Sequence, residues 1–113
     1  MDPIMLSIKQ VVMDWAYSYL FQDDEMKLAV FEEKKCDEIY RVALRFKHCM
    51  AEILVEKPYF APYRYVSFQV WAVVDEKLDL VYYWFDKDGD EIDMILEQLS
   101  RGIEFSKNYP VNS

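Results

Sequence analysis

Residues 65–85 constrain the fold more than any other part of the chain. From Tyr65 to Val74 a two-residue repeat puts Val66, Phe68, Val70, Ala72 and Val74 on one side and Tyr65, Ser67, Gln69, Trp71 and Val73 on the other. Successive side chains of a strand point to opposite faces, so a strand that is largely apolar on both sides belongs inside a sheet. The polar turn Asp75-Glu76-Lys77 leads straight into Leu78 to Phe85, where Leu80, Tyr82 and Trp84 alternate with Val81, Tyr83 and Phe85. Two alternating runs joined by so short a polar segment predict an antiparallel hairpin.

The rest of the chain supplies further strands and a cover for them. From Met26, Leu28 and Val30 alternate with Lys27, Ala29 and Phe31. A charged turn is expected over Glu32 to Asp37. A second run then places Tyr40, Val42, Leu44 and Phe46 on one face and Ile39, Arg41, Ala43, Arg45 and Lys47 on the other. Met50 to Val55 either continues this strand around a bulge or begins a new one. Pro58 and Pro62 bracket Tyr59, Phe60 and Ala61 and exclude a central strand there, because proline donates no ladder hydrogen bond.

Helical spacing appears at both ends. Asp2 can cap a helix that opens on Pro3, with Met5, Ile8, Val12, Trp15, Ala16 and Tyr19 recurring over about 18 residues. The acids Asp23, Asp24 and Glu25 end it in a solvated turn. After Asp86-Lys87-Asp88-Gly89, the acids Asp90, Glu91 and Asp93 suit a first helical turn, and Ile92, Ile95, Leu96, Leu99 and Ile103 follow at helical spacing. The expected fold is therefore α+β: an N-terminal helix, four to five antiparallel strands in one sheet and a C-terminal helix, with both helices packed on one sheet face. At 113 residues the chain makes a single domain over 1–113, with 1–2 and 107–113 expected to fray.

Charge narrows the function classes. Lys plus Arg number 13 and Asp plus Glu 21, so the formal net charge is 13 − 21 = −8, which disfavours phosphate neutralisation on nucleic acid and docking on an anionic membrane. Residues 75–104 hold ten acids against three bases, 3 − 10 = −7, so nearly all of the excess lies in the C-terminal third. A one-sided field of this kind steers a basic partner. No basic leader or long apolar run is present, and with two cysteines the expectation is reduced thiols in the cytoplasm.

Chemical motifs are weak. Asp86 to Glu97 resembles an EF-hand calcium loop, with acids at positions 1, 3, 5 and 12, but Glu91 stands where the loop needs glycine and a strand precedes it instead of a helix. An acid-rich helix start explains the same residues. His48, Cys49 and Cys36 lack the paired spacing of a zinc site, and adjacent strand residues such as His48 and Cys49 point apart, against a catalytic pair. Catalytic, cofactor-binding and metal-ligating residues are therefore not assigned.

Aromatic residues suit recognition, since Tyr and Trp offer large contact area with a polar handle. The expected function is a non-enzymatic module that binds and masks a basic surface of another protein, in an inhibitor, immunity or chaperone-like role. The expected partner-binding residues are Tyr59, Phe60, Tyr63, Trp71, Tyr83, Asp86, Asp88, Asp90, Glu91 and Asp93. A homodimer through the apolar first helix or an edge strand is a further expectation. The alternative is a small-molecule or enzymatic domain with a pocket between sheet and helices lined by Trp71, Tyr82 and Trp84.

Overall fold

The computed structural model describes residues 3–22, 30–36, 39–56, 65–87 and 89–110. Helix α1 spans Pro3–Trp15 and runs into a π-helical turn over Ala16–Leu20. Five strands follow, β1 Val30–Cys36, β2 Ile39–Arg45, β3 Met50–Glu56, β4 Val66–Val74 and β5 Lys77–Phe85, and α2 closes the chain over Ile92–Lys107. The strands form one sheet in the order β1-β2-β3-β4-β5, each antiparallel to its neighbour. The α+β order of helix, antiparallel sheet and helix is the one the sequence predicts. Asp2, the residues 23–29 and the Pro58 to Tyr63 segment lie outside the described residues.

The core sits between the sheet and the helices. Tyr40, Val42 and Leu44 of β2, Ala51, Ile53 and Val55 of β3, and Val66, Phe68, Val70 and Ala72 of β4 are buried. Register aligns them on one face, with Val42 opposite Ile53 and Ile53 opposite Phe68. Helix α2 contacts β3, β4 and β5 and buries Ile95, Leu99 and Ile103 there. Helix α1 contacts α2 and β3, and Ile8, Val12, Ala16 and Leu20 join the same core. Those four residues recur every four positions, which overshoots the α-helical repeat. The Phe21 N–H reaches back five residues to the Ala16 carbonyl at 2.9 Å, and the wider turn puts Leu20 inward and leaves Tyr19 exposed.

Two expectations change and one open alternative is settled. The segment from Glu32 to Cys36, expected as a turn, continues β1 and pairs with β2, Glu32 opposite Val42 and Glu33 opposite Arg41. Charged residues are common in edge strands, where they discourage edge-to-edge association. Met50–Glu56 is a separate strand, folded back on β2 by a tight turn in which the Phe46 N–H donates to the Cys49 carbonyl at 2.8 Å. In β5 a bulge lies between the pairs Val70–Tyr82 and Trp71–Leu80, so Val81 has no opposite number. Tyr82 and Trp84 therefore pack toward the core, whereas Leu80 and Leu78 turn to the other face. At the C-terminus, Tyr109 is half-buried, its ring 5.8 Å from that of Phe105.

Candidate functional site

The face of the sheet opposite the helices is uncovered by any described element, and register shows what it displays. One row across the strands reads Arg45, Met50, Trp71, Leu80, and a second row at the β4–β5 tip reads Val73, Leu78. Val73 is 71% exposed, Leu78 57%, Met50 47%, Leu80 45% and Tyr83 42%, which makes a contiguous apolar strip in water. Further along, Arg41 donates to Glu52 at 2.8 Å, and the half-buried Leu54 and Phe85 lie in the next row. Trp71 and Tyr83, both named from sequence, belong to this face. Met50, Val73, Leu78 and Leu80 were not among the expected binding residues, and the outward turn of Leu78 and Leu80 depends on the bulge.

One end of this face carries two turns of opposite charge. The β2–β3 turn bears Arg45, Lys47 and His48, all near or in an open cleft of about 490 Å³ floored by Met50, Trp71 and Leu78. The β4–β5 turn at the same end bears Asp75 and Glu76, both in the left-handed region with φ of 52° and 68°. Antiparallel strand order brings these turns together, although 26 positions separate Lys47 from Val73 in the sequence. Cys49 is buried beside them and donates its thiol to the Ser106 carbonyl at 3.4 Å. Burial pushes that thiol above its ordinary value. His48 is exposed and Cys49 buried, so the two side chains do not form a nucleophile and base pair.

The other end of the sheet holds the second group of acids, so the C-terminal excess is divided between two ends. Asp86 is buried, and its Oδ1 accepts the backbone N–H groups of Tyr65 and Val66, each at 2.8 Å. It ties the start of β4 to the end of β5 and presents no surface to a partner. Asp90 accepts the Lys87 N–H at 2.8 Å, whereas Glu91 and Asp93 are exposed at the start of α2. Glu97, the last position of the loop-like stretch, accepts from Arg101 at 2.9 Å. Asp86 and Glu97 are thus engaged in separate local contacts, and among the described residues no group of three or more His, Cys, Asp or Glu is placed to hold a metal ion. Tyr59, Phe60, Tyr63 and Asp88 lie outside the described residues.

Trp71 stands on the uncovered face, across the sheet from Tyr82 and Trp84, so these three rings line no common cavity. Tyr82 is instead packed edge-on to Phe68 at 5.9 Å and against Phe105 at 4.8 Å. Among the described residues no helix is long and apolar enough to cross a membrane. Comparison of the chain with family models, with curated proteins and with solved structures returned no match, so the reading of this surface rests on its own geometry.

Proposed function

We propose that this chain is a non-catalytic protein-binding module that contacts another protein molecule through the uncovered face of its sheet. The apolar strip of Met50, Trp71, Val73, Leu78 and Leu80 carries the reading, since contiguous exposed apolar surface rimmed by charge marks contact sites. Trp71 and Tyr83 supply anchors of the kind that dominate binding energy. Turns of opposite charge at one end of the face, Arg45 and Lys47 on one and Asp75 and Glu76 on the other, make such a contact salt-dependent. A reducing compartment, the cytoplasm, suits a chain in which Cys49 is a free, buried thiol.

The test compares tagged wild-type protein with a Trp71→Glu, Leu80→Glu double variant, shown to be folded by circular dichroism, in capture from the source cells at low salt. The wild type is expected to retain one protein in stoichiometric amount, either a basic protein or untagged copies of the same chain, and to release it on added salt. The variant is expected to retain neither. Identical eluates from the two proteins overturn the reading.

A further inference from the structure

We infer that the molecule seated on the uncovered face is a second copy of this chain, related to the first by a two-fold axis running parallel to the strands between β3 and β4. This rests on the reading of that face as a protein-binding surface and names its partner. The two turns at one end of the sheet carry the argument. Arg45 and Lys47 at the β2–β3 turn contribute a formal +2, and Asp75 and Glu76 at the β4–β5 turn contribute −2, whereas Lys77 and Asp79, paired with Val74 and Ala72, belong to the helix side of the sheet.

Strand order places these turns on either side of the line between β3 and β4. A 180° rotation about an axis along that line, lying just above the face, sets sheet on sheet and exchanges left with right. Each basic turn then meets the acidic turn of the other copy, each Met50 lies over the other copy's Trp71, and Val73 and Leu78 close the apolar centre. Two sheets packed in this way stand about 10 Å apart, filled by their side chains. Such an interface is self-complementary and closed, since every contact occurs twice.

The state of the charged groups supports this occupant over others. Arg41 and Arg101 each hold a carboxylate of their own chain. Among the described residues Arg45, Lys47, His48, Asp75 and Glu76 make no side-chain hydrogen bond or ion pair. A purely basic partner would satisfy the acidic turn and repel the basic one, and a small anion in the cleft would do the reverse. A second copy satisfies both turns and covers the apolar strip between them.

The test is light scattering coupled to size exclusion, and sedimentation equilibrium, on the full chain over a wide concentration range. The expected mass is twice 13.6 kDa. Variant one, Arg45→Glu with Lys47→Glu, makes both turns acidic, and variant two, Asp75→Lys with Glu76→Lys, makes both basic. Each alone is expected to dimerise at least about tenfold more weakly, and an equimolar mixture is expected to restore a dimer, now mixed. The restored dimer also shows that both variants fold.

A chain monomeric at every concentration overturns the inference, as does a dimer that both variants retain. A monomer whose amide resonances at residues 45–49 shift on addition of sodium decanoate also overturns it, and reassigns the cleft to a small anion. A monomer that still captures a basic protein through Trp71 and Leu80 overturns the dimer and leaves the protein-binding reading standing. A dimer indifferent to both charge reversals, together with capture indifferent to Trp71 and Leu80, overturns both.

Discussion

Gly102 of α2 lies directly against the ring of Phe68 in β4: a Cβ built at Gly102 would stand 2.6 Å from Phe68 Cε1 and 2.8 Å from Cδ1. That contact sets how closely the helix approaches the centre of the sheet. Alanine at this position improves helix propensity by about 1 kcal/mol, but Phe68 is fully buried and has no space into which to retreat. Overpacking therefore wins, and Gly102→Ala is expected to destabilise the fold by about 1–2 kcal/mol in urea denaturation. Combining it with Phe68→Leu should recover part of that loss. An unchanged denaturation midpoint in the single variant would show that the helix can shift freely.

Asp86 works as a clamp between strands, not as surface charge. Its Oδ1 accepts two backbone N–H groups at 2.8 Å in a buried setting. Asp86→Ala strands both donors and is expected to cost about 2–4 kcal/mol, far more than the same change at exposed Asp93. Hydrogen exchange of the Tyr65 and Val66 amides checks the mechanism, since both should lose protection selectively.

The β4–β5 turn holds Asp75 and Glu76 at positive φ, where residues with a Cβ are disfavoured and Asn-Gly is the comfortable pair. Glu76→Gly is expected to raise thermal stability by up to about 1 kcal/mol at concentrations too low for association. If the turn serves contact with a second copy, the same change weakens the dimer while it stabilises the monomer. Parallel measurements of melting temperature and of dissociation constant separate the two effects.

Cys49 is expected to react slowly. Its thiol is buried, donates to the Ser106 carbonyl and ionises above its ordinary value of 9.0 because burial disfavours the thiolate. In a Cys36→Ser background, alkylation by iodoacetamide at pH 8 should run at least about tenfold slower in native protein than in urea. The raised value also sets a sign for stability. The native state keeps its proton where the unfolded chain has lost it, so this contribution is complete below pH 9.0 and disappears as pH rises through the native value. A Cys49→Ala variant should accordingly show a shallower fall in stability above pH 9.0.

Local sequence determined the elements. Alternation over Tyr65 to Phe85 specified a hairpin with an internal strand, and helical spacing at Ile8, Val12, Trp15 and Ala16 and at Ile95, Leu99 and Ile103 specified two amphipathic helices. These signals are legible because burial on one face imposes a period on neighbouring residues. The continuation of β1 past Phe31 was not, since Glu32 to Cys36 read as a turn until pairing with β2 gave their backbone partners. Of the binding residues expected from sequence, Trp71 and Tyr83 stand together on the uncovered face, whereas Asp86 is consumed inside the fold.

Tertiary structure alone decided the composition of the candidate surface. The single unmatched residue at Val81 reverses Leu80 and Leu78 relative to Tyr82, and a bulge leaves no mark on hydrophobic alternation because both sides of β5 are apolar. Likewise, a run of acids from Asp75 to Asp93 looks like one patch along the chain, but β5 carries the chain from one end of the sheet to the other and divides it. The basic turn at Lys47 comes beside the acidic turn at Asp75 only because β3 and β4 lie side by side. Charge and hydropathy are properties of residues, whereas a surface is a property of which strands are neighbours, and that is settled by long-range pairing.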